Sequence, residues 1–187
     1  LKLCPGEIRC HRQIDNVKEW YCVMNEIDIR KVSTKKELRD FVQLPYKLYA
    51  GNSCYVPDLE SDIYNVFNPS QNSGLEFTDI MPFMAYDAQG NAVGRIVGII
   101  NHRANQKWNT RNVRFGLIEF VDDRKVSAAL LSAVETWGKE HGMDQIQGPM
   151  GIFDFDKEGM LVEDFDQLSS MITIYNPPYY PCLLYTS

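Results

Sequence analysis

The chain has 187 residues, 44% of them apolar and 24% charged, with a net charge of −6. That composition suits one globular domain with a real core, and the acidic balance argues against a broad phosphate-binding face, so no nucleic-acid partner is expected. No apolar run is long enough to span a bilayer, and no segment has the basic–apolar–small order of a secretory signal, so no membrane is expected and a cytoplasmic location is the default. Five cysteines are present, but none lies in a CxxC pair or at a Cys/His ligand spacing, and no metal site is expected.

Both ends read differently from the middle. Residues 1–23 show no helical or alternating pattern and lack an initial Met, whereas Met24 precedes the first strand-like run. The expectation is that 1–23 is a non-native or disordered leader and that 24–181 is the domain. The last six residues, CLLYTS at 182–187, resemble one reading frame of a sequencing-library adapter, so the native protein is expected to continue past Pro181 and the domain to be incomplete.

Ile27–Val32 is a short β-type run. Thr34 and Glu37 then form a capping box, with Leu38, Phe41 and Val42 on one face of the helix that follows. Pro45 is expected to end that helix. Residues 46–78 are rich in Tyr, Asn, Pro and Ser, with a short helix expected around Leu59–Phe67. They read as an aromatic-packed connection or as a flap facing a substrate. Ile80–Tyr86 and Ala92–Asn101 are β-rich runs joined by Asp-Ala-Gln-Gly-Asn, a hairpin signal. Gly94 and Gly98 within the second run point to a bulge or a close backbone approach. Residues 103–112 are polar and read as a connection, and Val113–Val121 is the next strand.

The period then changes. Val126, Ala129, Leu130, Ala133 and Trp137 repeat at helical spacing, with Asp122 and Asp123 before the helix, Lys139 and His141 near its end and Gly142 as its stop. Met143–Gly148 is a further short strand. A helix joining two strands is a crossover, which pairs them in parallel. The fold class is therefore α/β with a mixed sheet: an antiparallel meander, then a helical crossover to a parallel strand.

The order of elements, together with AALLSAVETWGKEHGMDQIQG, resembles the GNAT superfamily of acyl-CoA N-acyltransferases, cut after about the fifth strand. LPYKLYAGN, GRIVGIINHRANQKW, FGLIEFVDD, GPMGIFDFDKEGMLVEDFD and YNPPYY resemble a bacterial subgroup of GNAT-like proteins over roughly 24–181. The resemblance implies an acyl-CoA cofactor (acetyl-CoA or another) and an amine acceptor, small molecule or protein. Phe120 and Val121 would orient the pantetheine arm, and the helix start at Arg124, Lys125, Val126, Ser127 and Ala128 would meet the pyrophosphate. This stretch carries none of the family's glycines, and two carboxylates precede it. The competing reading is a non-catalytic binding or regulatory domain that kept the fold with a degenerate cofactor loop.

Glu119 is the candidate base. Alternation places Phe115, Leu117, Glu119 and Val121 on one face of their strand, and a carboxylate among apolar neighbours has a raised pKa suited to taking a proton from an amine. GNAT enzymes often use a Glu in this strand; an exposed or ion-paired Glu is the alternative. His102 is a second candidate base or contact, and Asn101 beside it a substrate contact. Asp154, Asp156, Glu158, Glu163, Asp164 and Asp166 form an acidic segment that is either a solvated loop or a lip attracting an amine. Tyr175, Asn176, Tyr179 and Tyr180 lie in a rigid aromatic segment that is either packing or an acceptor wall.

Overall fold

The computed structural model describes residues 27–153, 155–170 and 173–185, and the expected leader lies outside them. A single sheet of five strands runs in the order β1 (Asp28–Lys31), β2 (Thr78–Tyr86), β3 (Ala92–Asn101), β4 (Asn112–Phe120) and β5 (Gln145–Gln147). Neighbours pair antiparallel until the last pair, β4–β5, which is parallel. Helix α1 (Lys35–Leu48) follows β1, and its capping box forms as expected: the Thr34 side chain accepts from the Glu37 amide while Glu37 accepts from the Thr34 amide. Helix α2 (Glu60–Val66) falls inside the expected 59–67 window.

Helix α1 does not stop at Pro45; it continues to Leu48 with Pro45 inside it. A proline removes the N–H that would bond the carbonyl four residues back, here Phe41. That carbonyl instead accepts from Nη1 of Arg95 on β3 at 2.8 Å. Tertiary structure replaces the bond that the local chain lacks, and the helix extends by one turn.

The stretch expected to be a plain connection at 103–112 begins with α3 (His102–Trp108). Asn101 caps it by accepting from the Ala104 amide, and Asn109 ends it with φ +50°, a left-handed conformation that Asn tolerates. Caps rather than an apolar stripe make this helix, and none of its residues is buried.

Helix α4 (Arg124–Glu140) crosses one face of the sheet. It buries Val126, Leu130, Val134 and Trp137 against Phe83, Ile96, Ile100, Val113, Phe115 and Phe120. The β3 glycines explain how close it comes: a Cβ at Gly94 would stand 2.8 Å from Leu130, and one at Gly98 would stand 2.8 Å from Trp137. Gly142, at φ +78°, terminates the crossover as expected. On the opposite face, Phe41 and Leu44 of α1 pack with Met84, Val97, Ile99 and Ile152. A final helix, α5 (Tyr179–Tyr185), crosses the boundary expected at 181/182, and it brings the fully buried Tyr180 into the α4-side core.

Candidate functional site

Strand β4 carries the irregularity on which the site is built. Its register against β3 shifts between the pairs Arg95–Glu119 and Val97–Gly116, and Leu117 takes φ +46°. This bulge resets the alternation. Phe115 and Phe120 face α4, whereas Leu117 joins the α1-side cluster, so the single face expected for Phe115, Leu117, Glu119 and Val121 does not persist along the strand. β5 pairs with β4 only from Asn112 to Arg114. Beyond that the chain turns away, the Met150 amide bonding the Phe115 carbonyl and the Arg114 side chain donating to the Gly151 and Ile152 carbonyls. A gap opens beside the second half of β4.

Glu119 stands in that gap with its side chain 14% exposed. Its Oε2 accepts hydrogen bonds from the phenols of Tyr49, at the end of α1, and Tyr180, on α5. Its Oε1 lies 4.0 Å from Nη2 of Arg95, whose side chain is 3% exposed. Desolvation pushes the Glu119 pKa upward, and Arg95 and the two phenols oppose this in part. Burial and the neighbouring carboxylate push the Tyr49 and Tyr180 phenols well above their ordinary range, so both stay protonated donors. Arg95 remains cationic because a guanidinium does not titrate in the physiological range. Its Nε is buried without a hydrogen-bond partner.

A cavity of about 90 Å³ opens onto Glu119, with Arg95, Tyr55, Asp58, Lys157, Tyr175 and Asn176 in its walls. It shares walls with two further clefts. Pro149, Gly159, Met160 and Leu184 also line an open cleft of about 1200 Å³ between β5 and α4 that reaches Arg124 and Ala128. Asp58, Leu117 and Lys157 also line a second cleft of about 350 Å³ on the α1 side of the sheet. The three spaces lie next to one another around the β4 gap, separated by these shared walls.

No family model matches the chain. Two bacterial proteins are similar to it in sequence. Protein YghO of Escherichia coli strain K12 is 30% identical over 152 residues, covering 81% of this chain and 38% of that protein. A bacterial ceramide synthase of Caulobacter vibrioides is 27% identical over 155 residues, covering 82% and 40%. The chain thus spans about two fifths of the length of these curated relatives. Among solved structures, a GNAT-family acetyltransferase of Staphylococcus aureus Mu50 aligns over 68% of this chain and 75% of its own, at 16% identity and TM-score 0.46. A putative acetyl transferase from Pyrococcus furiosus aligns over 69% and 85%, at 16% identity and TM-score 0.42. The antiparallel meander, the helical crossover and the parallel β4–β5 pair are the arrangement expected from the sequence.

Within the domain the expected site residues separate into groups. Tyr175 and Asn176 join Glu119 at the cavity. Tyr175 accepts from Asn52 and meets Tyr49 edge to face, while Asn176, 4% exposed, clamps the Leu161 backbone through both its amide atoms. His102 and Asn101 lie elsewhere. Seven residues along β3 from Arg95 correspond to roughly 20 Å, and His102 is exposed there against Asp79 at 2.8 Å. Asn101 is buried, capping α3 and donating to the Ile152 carbonyl. The structure therefore does not bring His102 or Asn101 to Glu119.

The expected cofactor contacts are also rearranged. The Phe120 amide donates to Tyr180 Oη at 2.9 Å, its carbonyl accepts from Tyr179 Oη at 2.6 Å, and the Val121 amide bonds the Val93 carbonyl. At the start of α4, the Asp123 carboxylate accepts from the Lys125 amide. Val126 and Ser127 are buried, with Ser127 Oγ donating to the Arg124 carbonyl. Arg124 and Ala128 face the large cleft. Among the described residues, no group of three or more His, Cys, Asp or Glu could hold a metal, and no helix is long and apolar enough to cross a membrane.

Sequence reading placed Tyr180 in the aromatic segment without linking it to Glu119, and did not find Arg95 or Tyr49. Tyr49 is 70 residues and Tyr180 61 residues from Glu119 in the chain, so no local spacing could link them. Arg95 left one signal, as a charge inside the otherwise apolar run Val93–Ile100.

Proposed function

We propose that this domain transfers an acyl group from acyl-CoA to an amine, with Glu119 as the proton acceptor. The observation that carries the reading is a single carboxylate of raised pKa, mostly buried, facing a cavity at the β4 bulge where β5 departs. Such a group is a competent base near neutral pH. The relative named as a ceramide synthase supports the same reaction class, since ceramides are N-acylated amines. Bound acyl-CoA supplies a thioester: a C–N bond forms at its carbonyl carbon as the C–S bond breaks and the thiolate leaves. Glu119 takes the proton that the amine loses, Arg95 holds the resulting charge distribution, and Tyr49 and Tyr180 fix the carboxylate in one orientation.

The cleft between β5 and α4 fits a pantetheine-sized chain, with Phe115, Ile146 and Leu131 for apolar contact and Arg124 at the helix start for phosphate. The fit at the helix start is through that cation, because Asp123 caps the amides. The engaged amides there and at Phe120 favour a second reading, a non-catalytic domain that keeps the fold. Titrating the full chain with acetyl-CoA and longer acyl-CoA thioesters, and following thiol release with a panel of primary amines, separates the two. The transferase reading expects binding, thiol release and a loss of about 10²-fold or more in Glu119→Gln with cofactor affinity retained. Absence of binding at millimolar cofactor refutes it.

A further inference from the structure

Strand β1 is a sheet edge, and no strand among the described residues pairs with its outer side. Its inner side is fixed by β2. The Val32 amide donates to the Pro82 carbonyl at 2.9 Å, and the register sets Asp28 against Tyr86 and Arg30 against Met84. Antiparallel ladders bond through alternate residues. Asp28, Arg30 and Val32 therefore turn their main-chain groups toward β2, and Ile27, Ile29 and Lys31 turn theirs outward. The side chains alternate across the sheet plane. Ile27, Ile29 and Lys31 face α4, where they line a groove of about 380 Å³ together with Phe83, Ala133 and Trp137. Asp28 and Arg30 are on the opposite face, 2.6 Å apart and each more than half exposed, with the guanidinium carbon 4.4 Å from the centre of the Tyr86 ring.

We infer that β1 pairs with β1 of a second copy, antiparallel about a two-fold axis at Ile29, so that the two sheets join edge to edge. Charges on a short edge strand ordinarily keep other strands away. In this strand their order makes the edge complementary to itself. A two-fold axis normal to the sheet sets its central residue opposite its own copy. Centring on Asp28, Arg30 or Lys31 sets like charges directly opposite, which is destabilising. Ile29 is the one uncharged residue of the strand. Centring there sets Ile29 against Ile29 and Ile27 against Lys31, the residues whose main-chain groups point outward. On the other face it sets each Asp28 against the Arg30 of the other copy, an opposite-charge pair repeated by the symmetry. The apolar grooves beside α4 meet at the same axis. Glu119 is on β4, three strands in from this edge, so both cavities stay open and the inference is independent of the acyl-transfer reading. A contact of one short strand is at the small end of specific interfaces, below about 1,200 Å² in total. The dimer should therefore be concentration-dependent, with a Kd of about 10–100 µM.

Sedimentation velocity of the full chain across that range tests this. Monomer should convert to dimer with no larger species, because a two-fold contact closes on itself. Asp28→Arg and Arg30→Asp each set like charges across the axis and should weaken association by about tenfold or more, with the circular dichroism spectrum unchanged. The Asp28→Arg/Arg30→Asp double variant restores opposite charges and should recover the dimer. Amide exchange followed by NMR should slow at Ile29 and Lys31 as concentration rises, and should not change at Arg30, whose amide already faces β2. A chain still monomeric at about 1 mM overturns the inference. So does a dimer indifferent to the single variants, a loss that the double variant does not recover, or growth into larger species.

Discussion

Replacing Arg95 with Met should destabilise the domain by an amount that depends on pH. The Arg95 side chain is 3% exposed and supports two groups, the Phe41 carbonyl freed by Pro45 and the Glu119 carboxylate. A buried carbonyl without its donor costs about 1–3 kcal/mol. Removing one partner of a buried ion pair costs about 3–5 kcal/mol while the other remains charged. The 4.0 Å separation and the two phenols on Glu119 put the combined loss at about 3–5 kcal/mol near pH 8. Glu119 has a raised folded-state pKa, so the folded chain holds more protons than the unfolded one between the two values. Its contribution is therefore fully present below the ordinary carboxylate range and is lost as pH rises through the folded value. Removing Arg95 lifts that value further and steepens the loss. At acid pH, with Glu119 neutral in both forms, only the carbonyl cost of about 1–3 kcal/mol remains. Urea unfolding followed by tryptophan fluorescence, at a pH below the ordinary carboxylate range (about 3.5) and at pH 8, measures this. The Arg95→Met/Glu119→Gln double variant should recover the pH-dependent part. An equal penalty at both pH values, or a double variant no milder than Arg95→Met at pH 8, refutes the reasoning.

Gly98→Ala puts a methyl 2.8 Å from the rigid Trp137 ring and should cost about 1–3 kcal/mol, lowering Tm by about 2–4 °C for each kcal/mol in a thermal melt. In a Pro45→Ala background, the backbone N–H restored at position 45 can bond Phe41, so the Arg95→Met penalty should shrink by about 1 kcal/mol in the same urea titration. His102→Ala should leave both thiol release and unfolding midpoint within error, because its exposed ion pair lies at the far end of β3; a large loss of thiol release would bring His102 back into the chemistry. The rate of thiol release should rise with pH through an apparent pKa above the ordinary Glu range, and this limb should vanish in Glu119→Gln.

The parts of the fold that local chemistry dictates could be read directly from residues. The Asp-Ala-Gln-Gly-Asn turn fixed the β2–β3 hairpin, and the apolar stripe ending at Gly142 fixed α4 and the parallel β5. What escaped reading depended on contacts distant in sequence. Pro45 lies within a helix only because Arg95, 50 positions later, replaces its missing bond. Residues 102–108 form a helix through two asparagine caps instead of a periodic pattern. Glu119 was found from its strand, but the bulge at Leu117 that sets its orientation is marked only by the adjacent Gly116, which strand alternation alone does not read as a register shift. The partners of Glu119 converge from α1, β3 and α5, and only the assembled sheet brings them together.

The tyrosines on Phe120 have a consequence for solubility. Past Phe115, none of the described residues forms a strand on the outer side of β4, and an exposed row of backbone donors and acceptors can recruit a strand from another molecule. Tyr179 and Tyr180 engage both main-chain groups of Phe120, and Tyr180 stacks on its ring at 4.1 Å. Two aromatic side chains thus blunt the edge without forming a strand themselves. At Phe120 the edge beside the base therefore offers a neighbouring molecule no unpaired main-chain group.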